Sequence, residues 1–395
     1  MTMTRLAMPR LGALAAMLAI GSLGLAACGT DPVPPGSAGS AAPSSGASSG
    51  GASSGGASSE SASGLTCAPG KLTAEGSSAQ ANAITEVISG YNAECGDKAT
   101  IEYNPTGSGA GIKNFNKGLV DFAGSDSALK TEEKEGVIEA DAAKKRCQDN
   151  PAWHLPMVVG PIAFAYNVDG VDKLTLNAEV LAGIFNGTIA TWNDPKIAKL
   201  NADAQLPGDK ITVFFRSDES GTTENATKFL SKAGNGAWKG EPGKSWTGTG
   251  EGKNKSSGVA EGVTSTKNSI SYMEWSYAKD NDLKVALLDS GNGGVELTGE
   301  AVGKAVAEAK IKGKGNDLSL DLKYADSAAG AYPALLVTYE IVCSKGLDAE
   351  KTAIVKDFLT YFASDTTQTG LEELGYAPVP SELLTKVKTA IAAIA

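Results

Sequence analysis

An α/β fold is predicted by two features of the sequence. Strand-like runs alternate with segments whose apolar residues recur at helical spacing, and the turns between them repeat one design, small residues and hydroxyls at a strand exit. About 330 residues, enough for one large or two medium domains, follow the low-complexity leader region.

The first unit is Leu72-Thr73-Ala74-Glu75, the turn Gly76-Ser77-Ser78, and then Ala83, Ile84, Val87, Ile88 and Tyr91 on one helix face. In the second, Ala99 to Tyr103 reads as a strand and Thr106-Gly107-Ser108-Gly109-Ala110-Gly111 as a turn, with Ile112, Phe115 and Leu119 marking the helix. Its glycines would let a ligand approach the backbone closely. Val120-Asp121-Phe122-Ala123 leads to Gly124-Ser125-Asp126-Ser127, followed by a segment, Lys130 to Ala143, that Asp126 could cap as a helix. Val158 to Tyr166 is an apolar strand. Ile211 to Phe215 enters Arg216-Ser217-Asp218-Glu219-Ser220-Gly221-Thr222, and Ala226, Phe229, Leu230 and Ala233 at i, i+3, i+4 and i+7 predict a helix after it. Ile354, Val355, Phe358 and Phe362 predict another over Ala353 to Phe362.

Free N–H groups at a helix start, with hydroxyls beside them, suit an oxyanion. Singly, each turn is explained as well by ordinary capping, and Arg216 by pairing with Asp218. Repetition shifts the balance: three helix N-termini could converge on one anion, and the fourth turn adds the carboxylate of Asp126.

The N-terminus carries an export pattern. Arg5 and Arg10 precede the apolar stretch Leu11 to Leu25, and Leu25-Ala26-Ala27-Cys28 closes it, so residues 1–28 resemble a bacterial lipoprotein signal with Cys28 as the lipidated residue. Gly12, Gly21 and Gly24 make a retained transmembrane anchor the weaker reading. Residues 29–64, almost wholly Gly, Ser, Ala and Pro, are too poor in bulky apolar side chains to order and read as a tether. As a Gly/Ser coil of about 36 residues it would reach roughly 30–35 Å.

The formal charge of −10 disfavours nucleic acid as a partner, because binding it requires clustered Lys and Arg. It also means that any anion site must work through local dipoles and a buried cation. With Cys28 lipidated, Cys67, Cys95, Cys147 and Cys343 predict two disulfides. Three connectivities are open, of which Cys95 with Cys147 and Cys67 with Cys343 is preferred. No C-x-x-C spacing supports a metal site.

Several motifs fail. Pro242-Gly243-Lys244-Ser245 lacks the glycine of a P-loop, since position 238 is Trp238. Gly107 to Gly111 lacks the last glycine of a dinucleotide fingerprint, position 112 being isoleucine, so no cofactor is expected. His154, the single histidine, reads as structural, and no G-x-S-x-G accompanies it. Trp192, Tyr272, Trp275 and Tyr277 fit packing better than a sugar platform.

With these motifs in hand, the chain resembles the phosphate-binding lipoproteins of bacterial phosphate-specific ABC transporters over nearly all of residues 70–395. The resemblance rests on Glu75 to Ser78, Thr106 to Gly111, Val120 to Asp126, Ile184-Phe185-Asn186-Gly187-Thr188-Ile189-Ala190-Thr191-Trp192-Asn193-Asp194, and Arg216 to Thr222. It implies a two-lobed periplasmic-binding-protein fold of type II with the ligand in the interdomain cleft. Residues 65–158 and 332–395 would form lobe I and residues 159–331 lobe II, with crossovers near Met157-Val158-Val159 and Ala331-Tyr332-Pro333. The implied contacts to inorganic phosphate are Ser78, Ala79, Ser108, Asp126, Arg216, Asp218, Ser220, Gly221 and Thr222. Ser78 stands where threonine is common, and Ala79 where some members have phenylalanine, leaving only its N–H. Glu219 replaces a common glycine and is expected to face outward. The resemblance further implies a monomeric, non-enzymatic receptor outside the cytoplasmic membrane, anchored through Cys28, that delivers phosphate to a membrane-embedded ABC permease. A phosphatase of the same fold or a receptor for arsenate are the alternatives.

Each of these residues has a physical task of its own. Arg216 offers a planar fork of donors that Asp218 would orient, and the serine and threonine hydroxyls each have a proton to donate. Asp126 selects among oxyanions: a carboxylate can accept from phosphate, which keeps a proton at neutral pH, and opposes sulfate, which has none.

Overall fold

In the computed structural model, which describes residues 64–134 and 136–395, the expected strands and helices form around one long sheet. The export signal, Cys28 and the tether up to residue 63 lie outside the described residues. Among those described, no helix is long and apolar enough to cross a membrane.

Strand β1 (Gly70–Gly76), helix α1 (Ala81–Cys95), strand β2 (Ala99–Asn104), helix α2 (Ser108–Asn116) and strand β3 (Phe122–Ser125) form a parallel unit with β1 in the middle. The helix faces read from the spacing are the buried ones: Ala83, Ile84, Val87 and Tyr91 of α1, Ile112 and Phe115 of α2. Leu119, the expected third member of the α2 face, lies beyond the helix and is exposed, because α2 stops at Asn116 and the chain turns at Gly118 with φ 72°. Helix α3 covers only Glu139–Arg146.

Strand β4 (Ala152–Asn167) is 16 residues long and joins two halves of the sheet. Its first part, Ala152 to Pro161, pairs antiparallel with the strand Leu335–Cys343, which in turn pairs with β3. From Ile162 onward the same strand pairs instead with the strand Ser269–Glu274. Pro156 falls beside a register shift in the first half, where a residue without an N–H leaves no ladder bond unmade. The second half comprises β5 (Thr175–Leu176), α4 (Ala178–Phe185), α5 (Pro195–Leu200), β6 (Thr212–Arg216), α6 (Gly221–Ala233), β7 (Glu251–Lys253), α7 (Lys255–Ser265), β8 (Ser269–Glu274) and α8 (Trp275–Asp280). Strand β6 runs parallel to both β8 and β7, so Arg216 and Glu274 emerge at neighbouring C-terminal strand ends.

The aromatic residues serve the core. Trp192 is fully buried against Tyr166, and Tyr272 stacks on Trp246 at 5.2 Å between ring centroids. Trp275 lies under the Lys279 ammonium.

The disulfides are Cys67–Cys95 and Cys147–Cys343, which corrects the expected pairing of Cys95 with Cys147 and Cys67 with Cys343. Strand register is the reason. Parallel pairing of Gly70 with Ala99 places Cys67, just before β1, next to Cys95, just before β2. Antiparallel pairing of Cys343 with Ala152 places Cys343 beside the turn that follows α3, where Cys147 sits. Asp357, close to the first bridge, accepts from Thr66 N, Ala68 N and the Tyr91 hydroxyl and is thereby a structural anchor for the start of the domain. The Cys147–Cys343 bridge spans 196 residues and Cys67–Cys95 spans 28. By loop-closure entropy, replacing the former pair with serine is expected to cost roughly 1–2 kcal/mol more than replacing the latter. Urea denaturation of the two double variants checks this; equal losses would contradict it.

Candidate anion-binding site

The sheet brings the C-terminal ends of β1, β3, β6 and β8 and the first turns of α1, α2, α6 and α7 to one place. Gly76, with φ 144°, has its α-carbon against the backbone of β3, and a Cβ there would meet the Gly124 carbonyl. Gly107, with φ 100°, donates its N–H to the Gly76 carbonyl at 2.7 Å, which sets the start of α2 against the end of β1.

Asp126 is buried at the centre. Ser77 Oγ donates to its carboxylate at 2.6 Å, Thr338 Oγ1 at 2.7 Å and Ser108 Oγ at 3.0 Å, while Asn225 Nδ2 donates to its carbonyl at 2.7 Å. Burial pushes its pKa up to about 6, against the pull of the Ser77, Thr338 and Ser108 hydroxyls and with a further push from Glu274. It is not a helix cap: residues 127–134 form no helix, and α3 begins at Glu139. The fourth helix N-terminus belongs instead to α7, whose Ser256 was not anticipated.

Arg216 is buried opposite. Its Nε donates to Asp218 Oδ1 at 2.8 Å and Nη2 to Oδ2 at 2.5 Å, and Nη1 reaches Ser256 Oγ at 3.0 Å and Thr222 Oγ1 at 3.3 Å. Burial alone would lower the guanidinium pKa, but the Asp218 pair outweighs it and the value rises; the same pair overrides burial at Asp218 and holds its carboxyl below the usual range. Asp218 thus holds two edges of the guanidinium, and Lys255 N adds a third bond to it at 3.0 Å.

The two halves touch across this centre. Ser78 Oγ lies 2.9 Å from Ser256 Oγ, and Tyr277 donates to the Ser78 carbonyl. Ser127 Oγ and Lys130 Nζ both donate to buried Glu224 of α6, at 2.9 and 2.7 Å. Glu219 pairs with Lys113 of α2 at 2.6 Å, facing across the rim. Ser220 caps α6, accepting from Thr223 N at 3.1 Å, so its own proton stays available. The capping explanation of this loop is thus correct for Ser220 without displacing the anion reading. Ala79 is buried, and its N–H is taken by Ser77 Oγ at 3.0 Å. Thr222 Oγ1 donates to Glu274, another buried carboxylate that sequence reasoning missed.

Gly221 has no room for a side chain: a Cβ would fall 2.6 Å from Asp126 Oδ2 and from Ser108 Oγ. Gly221→Ala is expected to weaken anion binding at least roughly tenfold while leaving the ligand-free fold within about 1 kcal/mol, because slight separation of the halves relieves the clash. Calorimetric titration alongside thermal denaturation checks both.

His154 takes the structural place expected of it. Its Nε2 accepts from Leu129 N at 2.9 Å and its Nδ1 bonds Asp317 at 2.7 Å, fixing the segment that follows Asp126.

Two α/β halves that meet at a buried set of hydroxyls, carboxylates and one guanidinium have the architecture of binding proteins of the periplasmic type. The family described as the PBP superfamily domain matches residues 48–366. The phosphate-binding protein PstS3 of Mycobacterium bovis BCG is 43% identical over 98% of this chain and 99% of its own length. The phosphate-binding protein PstS of Xylella fastidiosa is 30% identical over 80% and 84%. The chain belongs to the PstS family of phosphate-binding proteins. Solved structures share the fold: a phosphate-bound high-affinity periplasmic phosphate-binding protein, PfluDING, superposes with TM-score 0.66 at 22% identity, covering 81% of this chain and 93% of that one. The phosphate-binding protein of Stenotrophomonas maltophilia superposes with TM-score 0.64 at 19% identity and the same coverage.

Proposed function

We propose that the protein captures inorganic phosphate outside the cytoplasmic membrane and hands it to an ABC permease for import. The observation that carries this reading is the buried Asp126 carboxylate facing the loop of Arg216 and Gly221: a tetrahedral oxyanion seated there must bring a proton. Ser78, Ser108, Ser220, Thr222 and the Arg216 Nη1 edge surround the same space, with the Gly221 backbone and the orienting Asp218 completing the set; Ala79 lines it by position, its N–H being bonded to Ser77 Oγ. Members of the family are named as binding proteins, and the chain acts as a receptor with no chemistry of its own.

Lobe I is residues 65–158 with 332–395, and lobe II is residues 159–331; they hinge where the chain passes between them, through β4 and near Ala331. Cys28 carries the lipid anchor, the tether 29–64 spaces the domain from the membrane, and the receptor works as a monomer.

Titration of ligand-stripped protein with phosphate and sulfate tests the reading. Phosphate is expected to bind in the nanomolar to micromolar range with sulfate at least roughly a hundredfold weaker. Equal affinity for the two, or release of product from an aryl phosphate, would refute it.

A further inference from the structure

Glu274 has no place in the ligand set that the turns define, yet it lies within that set. It ends β8, beside Arg216 at the end of the parallel strand β6. It is fully buried, takes the proton of Thr222 on Oε1, and its Oε2 has no hydrogen-bond partner among the described residues. No lysine or arginine forms an ion pair with it among the described residues. An orphaned carboxylate oxygen in a buried position is costly unless something supplies a proton to it.

The direction of the Thr222 bond has a second consequence. Thr222 accepts from Arg216 Nη1 and donates to Glu274, so its hydroxyl proton is directed away from an incoming anion. Arg216 is already neutralised by the bidentate Asp218, and Asp126 and Glu274 remain as two further carboxylates at one small site. Monohydrogen phosphate has one proton for two carboxylate acceptors and leaves one of them opposed to a bare oxygen. Dihydrogen phosphate has one proton for each.

Resting on the phosphate reading, we propose that Glu274 is a ligand-contacting, specificity-determining residue whose Oε2 accepts a second phosphate proton, so that the site takes phosphate as the dihydrogen anion. At alkaline pH, where free phosphate is mostly the dianion, binding then takes up one proton from solvent: dianion plus proton gives the bound monoanion. The titratable and charged groups around Glu274 are Arg216 of β6, Asp126 just after β3, Tyr277 of α8 and Tyr376. The tyrosines are held protonated by burial. Glu340, pushed up to about 8 by burial, lowered in part by Gln80 and raised by Asp126, pairs with Gly124 of β3 and contributes alike to parent and variant.

The test is calorimetric titration of the full chain, stripped of ligand, with inorganic phosphate at pH 8 in buffers of different ionisation enthalpy, for the parent and Glu274→Gln. The parent is expected to take up about one more proton per phosphate than the variant, and its affinity to fall roughly tenfold per pH unit above the second pKa of phosphate while the variant's stays nearly flat. Equal proton uptake by the two proteins overturns the proposal. Should Glu274→Gln fail to fold, the parent decides alone: uptake near zero at pH 8 and an affinity flat with pH overturn it. Absence of phosphate binding by the parent at every pH overturns the functional reading, and this inference with it, whereas tight binding without proton uptake overturns the inference only.

Discussion

Arg216→Ala is expected to abolish measurable phosphate capture and to destabilise the ligand-free protein by about 3–5 kcal/mol. The binding loss, roughly 2–5 kcal/mol or more, follows from removing the one buried cation of the site. The stability loss has a different origin. Asp218 would keep its partly buried position and its bond from Lys255 N but lose both guanidinium bonds, leaving an uncompensated charge. The double variant Arg216→Met/Asp218→Asn separates the two effects. It keeps an acceptor for Lys255 N, removes both charges, and should recover stability to within about 1 kcal/mol of the parent while still failing to bind. Urea denaturation and phosphate titration of both variants provide the measurement; a double variant as unstable as the single one would show that the pair itself stabilises the fold.

The second large effect concerns Asp126→Asn, in which phosphate selectivity over sulfate is expected to fall by roughly 10- to 100-fold, since an amide can donate to a protonless oxygen that a carboxylate opposes. The same variant reports on stability through pH. The Asp126 pKa in the fold is about 6, above the ordinary aspartate value of 3.8, so the folded protein holds this proton more tightly than the unfolded chain. The group therefore costs nothing below pH about 4. Its penalty grows as pH rises and is complete above about 6, where it amounts to roughly 3 kcal/mol. In ligand-free Asp126→Asn that dependence should vanish. Denaturation at pH 4, 5, 6 and 7 tests it, and a parent-to-variant difference that stays constant across this range would contradict the assignment.

Much of the site was legible because its residues sit where local patterns end. Ser78, Ser108, Asp126 and the Arg216 to Thr222 loop each follow a short strand, and hydroxyls at such exits can be read from one stretch of chain. Other partners carry no local mark. Thr338 lies 212 residues from Asp126 and Ser256 lies 178 from Ser78, and both occupy ordinary positions, one within a strand and one in a helix's first turn. Glu274 was similarly hidden, as one polar residue at the end of an apolar strand. The alternative of a helix capped by Asp126 fails because Ser127 and Lys130 reach across to α6, where the buried Glu224 captures both; those contacts outweigh local helical preference.

The strand-turn-helix units, the small hydroxyl-bearing turns and the pairing of Arg216 with the Asp218 carboxylate are set by local sequence, because periodicity and capping act within a few residues. Only the tertiary structure decided which cysteines pair and where the Thr222 proton points. Both depend on strand register and on the contact between two halves of a sheet, which join residues tens to hundreds of positions apart.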